Sequence, residues 1–300
     1  MVTIANDLIQ VTITDSGSQI LSIEDLASEH EFVWQGMEGQ DYQSAQSLLL
    51  FPFNNLDDQL LYTHKGKEYV LSHSTFYSLM TSSLQHQSEN SASFCLKSND
   101  QTKKYFPFDF SLQVNYLVYN RGLTLSLEVL NASASENLYY ACGFNLDFLF
   151  VHTRERKYPD FDKVYYHFEP AGHYYELYLT EEGAVDPSQS RYKKIEEQRL
   201  RHRHFKGSPI IYQLHEGAQH IIESQSDKSK IVFRPQGFDY ISLWASYPER
   251  IPYLNFRTWT DLPNNFDDCS VLNLKKNLIH LGPRQMKSHD LTMEFHKNNK

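Results

Sequence analysis

Hydrophobic and polar residues alternate with a period of two along much of the chain. The clearest case is residues 112–118 and 123–129, two alternating runs joined by Asn120-Arg121-Gly122. A strand buries every second side chain, and a short connector ending in glycine suits a chain reversal, so this pattern predicts a β-hairpin over 112–130. Similar runs predict further hairpins over 9–23, 60–71 and 210–222.

Helical periodicity is weak everywhere. The best candidate helix, residues 187–200, has too few apolar positions to form a stripe that could face a core. Without alternating helices and strands, a doubly wound fold or a TIM barrel is excluded. Short strands separated by frequent turn signals are typical of sandwiches and barrels. We therefore expect an all-β fold, a large antiparallel sandwich with little helix, forming one domain over residues 1–300.

The composition supports a large core. Of the 300 residues, 40% are hydrophobic, and 3 Trp, 20 Tyr and 19 Phe supply bulky side chains, so intrinsic disorder is excluded. No apolar run approaches the roughly 18 residues of a membrane span. The first residues lack the basic and then apolar segments of a signal peptide.

Cysteine usage and net charge restrict the location and the partners. Cys95, Cys142 and Cys269 are odd in number and widely spaced, so they form neither a zinc motif nor a disulfide framework. This favours a reducing, cytoplasmic compartment. The formal net charge of −9 disfavours binding to nucleic acid or to an anionic membrane.

One run, residues 199–206 (RLRHRHFK), is strongly basic. It could bind phosphate, but in an acidic protein we favour a solvated edge strand whose charges prevent aggregation. His202 and His204 have a spacing that metal sites use, yet no third ligand lies near them in sequence. Glycine-rich phosphate loops and the Gly-x-Ser-x-Gly motif are also absent. We expect no metal and no cofactor.

Six short phrases occur in an order and spacing that are informative together. They are FVWQG (32–36), LLFPF (49–53), KGKEY with LSH (65–73), YFPFDF (105–110), LSLEVLN (125–131) and YISLW (240–244). In these phrases the chain resembles the aldose 1-epimerase (galactose mutarotase-like) family, as a divergent member. The resemblance implies a large antiparallel β-supersandwich with a sugar cleft on its concave face, and a monosaccharide or an acidic sugar derivative as ligand.

The resemblance also implies a chemistry. In that family a carboxylate removes the proton from the anomeric hydroxyl, and an imidazolium donates a proton to the ring oxygen. The sugar ring opens, the aldehyde rotates, and reclosure gives the other anomer. Both groups must lie within hydrogen-bond reach of one sugar, with pKa values suited to the working pH.

The two catalytic positions are altered in this chain. The stretch CGFNLDF (142–148) places Phe144 at the family's histidine, and NFRTW (255–259) places Arg257 at its carboxylate. Phenylalanine has no proton to donate, and a guanidinium does not deprotonate in a protein. We therefore expect that no catalytic residue of the usual acid–base pair is retained.

Other family positions also differ. The family has an arginine after the Phe-Pro phrase, and residues 54–57 of this chain replace it. The family's sugar-binding aspartate is likewise replaced, within Ser208-Pro209-Ile210. Only His73 matches, and Ser74 follows it where the family has glycine. His73 either contacts sugar or ends a surface strand. For Trp244 we favour a role in core packing over stacking against a sugar. Arg257 either lines the pocket or pairs with an acidic neighbour, Glu249, Asp261 or Asp267. The candidate sugar-binding residues are His73, Asn145, Asp147, Trp244 and Arg257.

These observations favour a carbohydrate-binding or regulatory protein built on an enzyme fold whose acid–base pair is lost. An active epimerase is the first alternative, with relocated groups such as His73 together with Asp147 or Glu169. A structural or interaction protein with a filled cleft is the second. If Arg257 lines the cleft, its charge should favour an acidic sugar over a neutral one.

Overall fold

A computed structural model describes residues 1–16, 19–36, 48–53, 59–72, 82–150, 160–161, 163–180, 184–262, 270–275 and 277–297. Nearly all regular structure in these ranges is strand. The strands are β1 (Val2–Ala5), β2 (Ile9–Ile13), β3 (Ile20–Asp25), β4 (His30–Glu31), β5 (Leu48–Leu50), β6 (Gln59–His64), β7 (Lys67–Ser72), β8 (Ser83–Gln87), β9 (Ser91–Lys97), β10 (Phe110–Tyr119), β11 (Gly122–Asn131), β12 (Leu138–Tyr140), β13 (Gly143–Leu149), β14 (Val164–Glu169), β15 (Gly172–Leu177), β16 (Arg191–Ile195), β17 (Gln198–Arg199), β18 (Ile210–Gln213), β19 (Gln219–Ser224), β20 (Ser229–Gln236), β21 (Tyr240–Trp244), β22 (Tyr253–Trp259), β23 (Ile279–Leu281) and β24 (Met286–Lys297).

Helix is restricted to short 3-10 segments in the described ranges. They are Thr102–Lys104, His202–Phe205 and Leu272–Leu274. None of the described helices is long and apolar enough to cross a membrane. The prediction of an all-β fold with little helix is confirmed.

Two large antiparallel sheets form the body of the molecule. One has nine strands in the order β17-β14-β19-β20-β24-β11-β10-β9-β8, and the other has seven in the order β16-β15-β18-β21-β22-β13-β5. Their inner faces meet in the main core, where the rings of Phe233 and Phe256 stack with centroids 3.8 Å apart. A four-stranded sheet, β1 to β4, and the two-stranded pairs β6–β7 and β12–β23 complete the fold.

Three of the four predicted hairpins are confirmed. The strand pairs are β2–β3, β6–β7 and β10–β11. In the last pair the connector has two residues rather than three, because Gly122 already pairs with Tyr119. Asn120 takes the left-handed conformation at φ 49°, which asparagine tolerates better than most residues.

The predicted hairpin over 210–222 is wrong. Strand β18 pairs with β15 and β21 in the seven-stranded sheet, whereas β19 pairs with β14 and β20 in the nine-stranded sheet. The connection therefore crosses from one sheet to the other. Ile211 and Tyr212 are buried in succession, as are Ile221 and Ile222, which is the pattern of strands covered on both faces.

The basic run does not form the single edge strand that we favoured. Arg199 ends the short edge strand β17, and the chain then turns through the 3-10 segment His202–Phe205. His202 is fully buried and contacts Asp160 and the carbonyl of Ile251. No cluster of three potential metal ligands occurs in the part of the chain that the structure describes.

Gly143 lets the strands β13 and β22 approach closely. A Cβ atom at this position would lie 2.3 Å from the carbonyl oxygen of Thr258 and 2.8 Å from Cβ of Trp259. Both distances are far below van der Waals contact, and one neighbour is backbone, which cannot move aside cheaply. A glycine is therefore required where β13 begins.

We expect Gly143→Ala to lower the free energy of unfolding by about 2 kcal/mol or more, because the methyl group must force the two strands apart. Urea denaturation would measure the change. Gly172→Ala is the matched control: its Cβ would meet no atom within 4 Å, so its effect should be small. Equal unfolding midpoints for the two variants would contradict the close approach.

Candidate functional site

Antiparallel pairing of β13 with β22 brings four polar side chains together. Asn145 pairs with Arg257, and Asp147 pairs with Asn255. Side chains alternate between the two faces of a sheet, so these four share one face. The intervening residues, such as Leu146 and Phe256, belong to the main core on the inner face. The polar group thus lies on the outer face of the seven-stranded sheet.

A hydrogen-bonded chain links the four residues. The side-chain amide of Asn255 donates to Oδ1 of Asn145 and to Oδ1 of Asp147. Its own Oδ1 accepts a hydrogen bond from Nε of Arg257 at 2.9 Å, and the same Nε lies 3.2 Å from Oδ1 of Asn145. Asn255 therefore connects the carboxylate of Asp147 to the guanidinium of Arg257. Among the described residues, these two charged groups do not form a direct ion pair.

Burial shifts the pKa values of Asp147 and Arg257 in opposite directions. Burial raises the pKa of Asp147 to about 6, although the hydrogen bond from Asn255 and the charge of Arg257 act in the opposite direction. Burial lowers the pKa of Arg257, and Asp147 opposes that change. A guanidinium nevertheless stays protonated near neutral pH. The site therefore holds a permanent cation beside a carboxyl group that titrates near pH 6.

Three aromatic side chains stand next to the polar group. Tyr253 precedes Asn255 by two residues on the same face, and its ring centroid lies 6.2 Å from that of Trp34 and 5.9 Å from that of Trp244. The backbone nitrogen of Trp34 donates to the carbonyl of Asp147. Indole and phenol rings offer apolar faces with polar edges, which suits ligands that combine C–H surfaces with hydroxyl groups.

Several polar atoms of this group have no partner among the described residues. They are the amide nitrogen of Asn145, Oδ2 of Asp147, the two terminal nitrogens of Arg257 and the indole nitrogen of Trp34. Four of them are donors, and one is an acceptor while Asp147 is ionised. This mixture can bind hydroxyl groups and, through the guanidinium, an anionic group.

Phe144 does not face this group. Its ring is buried in the main core and meets Phe238 edge-on, with centroids 5.8 Å apart. The residue of β13 that lies beside Arg257 is Asn145. A proton donor on β13 that acted with residue 257 would therefore stand at position 145, one residue beyond the position that the resemblance indicated.

The remaining predicted residues are only partly brought together. Trp244 is half-buried and packs against Tyr253, beside the polar group. Glu169 ends β14 in the nine-stranded sheet and so is not part of it. Neither Glu249 nor Asp261 forms an ion pair with Arg257 in the described ranges; the carboxylate that acts on Arg257 is Asp147. His73, residues 54–57 and Asp267 lie outside the described residues.

Sequence reasoning missed Asn255 and Tyr253. Both alternate with Arg257 along β22, so the period of two could have identified them once residue 257 was singled out. Trp34 was noticed as part of a phrase but not as a neighbour of Asp147, because that contact joins segments more than 100 residues apart.

Comparisons with known proteins agree with this architecture. The sequence model described as "Aldose 1-epimerase" matches residues 1–244. A galactose mutarotase related enzyme from Lactobacillus acidophilus superposes with a TM-score of 0.87 at 24% identity, covering 99% of this chain and 97% of that one. A galactose mutarotase-like protein from Lactobacillus casei gives 0.84 at 21% identity, with 99% and 100% coverage. Both solved structures share the fold.

Protein LacX (chromosomal) of Lactococcus lactis subsp. lactis is 21% identical over 298 residues, which is 96% of this chain and 97% of LacX. The fold is a large antiparallel β-sandwich of the galactose mutarotase-like kind. This chain belongs to the aldose 1-epimerase family. Its β22, with Asn255 and Arg257, lies beyond the residues that the family model matches.

The raised pKa of Asp147 should affect stability in a defined direction. A carboxyl whose pKa is raised on folding binds a proton in the folded state that the unfolded state has released. Stability is then greatest below the unfolded value of 3.8 and is lost as pH rises through about 6. We expect the free energy of unfolding of the wild type, relative to Asp147→Asn, to fall by roughly 2 kcal/mol between pH 4 and pH 7.

Urea denaturation of both proteins over this pH range would measure the difference, since all other titrating groups cancel between them. A difference that rises with pH would mean that attraction to Arg257 outweighs the cost of burial, which contradicts the expectation.

Proposed function

We propose that this protein binds a sugar without epimerising it, as a cytoplasmic, regulatory member of its family. Arg257 carries the proposal. By the resemblance it stands at the position of the family's carboxylate base, and its Nε is committed to two asparagine oxygens. A permanently charged guanidinium cannot take the proton of an anomeric hydroxyl. The residue opposite, Asn145, does not titrate and cannot replace an imidazolium.

A second candidate function is an epimerase that uses Asp147. With its pKa raised to about 6 by burial, this carboxyl group exists in both protonation states near neutral pH, as acid–base catalysis requires. Its free Oδ2 is available to a ligand. This candidate needs a partner of the opposite role, and the resemblance suggests His73 for it.

We expect the purified protein not to accelerate the interconversion of the α and β anomers of glucose or galactose above the rate in buffer. Losing a general acid or base costs roughly 10² to 10⁴-fold each, and both family groups are replaced in the proposed site. Polarimetry of freshly dissolved sugar at micromolar protein would test this.

The same assay separates the two candidate functions. Acceleration that rises with pH through about 6 and disappears in Asp147→Asn would reject the binding protein in favour of the epimerase. Acceleration that survives Asp147→Asn would reject both.

The site is also expected to discriminate between sugars by charge. The terminal nitrogens of Arg257 present a planar pair of donors that matches a carboxylate or phosphate, whereas a neutral hexose offers that cation no opposite charge. Asp147 reduces this preference only when ionised, and Asn255 separates it from the guanidinium. We therefore propose an acidic sugar, such as a uronate, as the preferred ligand.

Galacturonate should raise the melting temperature more than galactose at equal ionic strength, because a ligand that binds only the native state stabilises it by RT ln(1 + [L]/Kd). Arg257→Gln should remove the difference between the two sugars. Arg284→Gln, the same charge change at an exposed turn residue, should leave it intact. Equal shifts for both sugars in the wild type would show that Arg257 does not select the ligand.

A further inference from the structure

A cavity opens at the edge of the seven-stranded sheet that lies opposite β13. Its volume is about 290 Å³. It lies where the chain crosses from β16, the edge strand of the seven-stranded sheet, to β17, the edge strand of the nine-stranded sheet. Its polar lining comes from Tyr166, Glu176, Tyr178, Lys193, Gln198, Arg199, His204 and Ser208. Such a volume suits a small metabolite rather than a polymer.

The cavity is built around a buried carboxylate. Glu176 is 5% exposed and accepts three hydrogen bonds: from Nζ of Lys193 at 2.8 Å, from the hydroxyl of Tyr178 at 2.9 Å and from that of Tyr212 at 3.0 Å. These donors outweigh the effect of burial and lower the pKa of Glu176. The carboxylate is thus ionised, fully bonded and fixed in position, and its charge is balanced by Lys193.

The positive charge of Arg199 is not balanced by a neighbouring carboxylate in this way. Its side chain is exposed, lines the cavity and has no hydrogen bond or ion pair in the described part of the chain. The surroundings are positive: besides burial, the charges of Arg203 and Arg201 lower the pKa of His204, another lining residue. A protein of net charge −9 therefore holds a local cationic pocket with one guanidinium free to bind.

This cavity is separate from the site around Arg257. Glu176 pairs with Tyr212, which pairs with Ile241, which pairs with Thr258, so Glu176 lies on the inner face of the sheet. Arg257 precedes Thr258 and lies on the outer face. The strands β15 and β22 are also three strand spacings apart, about 14 Å. A ligand in one site does not touch the other.

We propose that this edge cavity is a second ligand site, which binds a small phosphate-bearing metabolite. The guanidinium of Arg199 matches two phosphate oxygens, and Lys193 and His204 also line the cavity. The hydroxyl of Ser208 adds a neutral hydrogen-bonding group. The Glu176 network holds Lys193 and Tyr178 in place, so the pocket is preorganised before a ligand arrives.

Isothermal titration with inorganic phosphate and with glycerol 3-phosphate, using glycerol and sodium chloride at matched ionic strength as blanks, tests the site. Both phosphates should bind, and Arg199→Gln should weaken binding about tenfold or more, since hydrogen bonds between charged groups are the strong ones. Arg203→Gln is the matched control, because it makes the same charge change in the same run but does not line the cavity. Arg257→Gln controls for the outer-face site.

The outcomes separate the possible explanations. Loss of phosphate binding in Arg199→Gln alone supports the edge site, whatever the sugar assays show. Absence of phosphate-specific binding in the wild type overturns the proposal. Equal weakening by Arg203→Gln would show diffuse attraction to the basic run, and loss in Arg257→Gln would place the phosphate on the outer face. If Arg199→Gln fails to fold by circular dichroism, Arg199→Lys takes its place: it keeps the charge but lacks the planar fork, so it should weaken phosphate binding where Arg203→Lys does not.

Discussion

The pairing of β13 with β22 is the constraint on which the candidate site depends. Each strand is buried almost throughout, with mainly apolar residues on its inner face and the polar group flanked by apolar and aromatic residues on its outer face. The inner residues fix the register, because a slip by one residue would turn the polar face into the core. Gly143 permits the close approach of the two strands. With that register, Asn145 must stand beside Arg257 and Asp147 beside Asn255.

Two opposite charges are buried in this group without direct contact, and Asn255 explains how they are accommodated. Its amide donates to the carboxylate and its oxygen accepts from the guanidinium, so one neutral side chain is bonded to both. A direct ion pair would lower the pKa of Asp147, whereas the indirect link leaves burial as the larger effect. The terminal nitrogens of Arg257 remain available, so the arrangement keeps a cation ready for a ligand instead of neutralising it internally.

Local patterns predicted the local structure well. The hairpins at 9–23, 60–71 and 112–130 follow from alternation that a few neighbouring residues display by themselves. The hairpin predicted over 210–222 was wrong because each of its apolar runs is buried on both faces. Which sheet such a strand joins depends on segments far away in the sequence. Asn145, Asp147, Trp244 and Arg257 lie close together, and the register of β13 decides which of its residues stands beside Arg257. An error of one residue along β13 exchanges Phe144 for Asn145, and because the faces alternate it exchanges core for site.

Mutarotation requires two groups that exchange protons with one sugar, and the described site supplies one titratable group of suitable pKa. Asp147 could serve as an acid or as a base, but Asn145 and Asn255 are neutral and Arg257 stays charged. One way to build an acid–base pair into this group would be a histidine at 145 and a carboxylate at 257. The carboxylate would face Asp147 across Asn255, and the two negative charges would raise the pKa of one of them. In this strand pair the guanidinium of Arg257 is therefore the group whose charge makes a buried, ionised Asp147 tolerable.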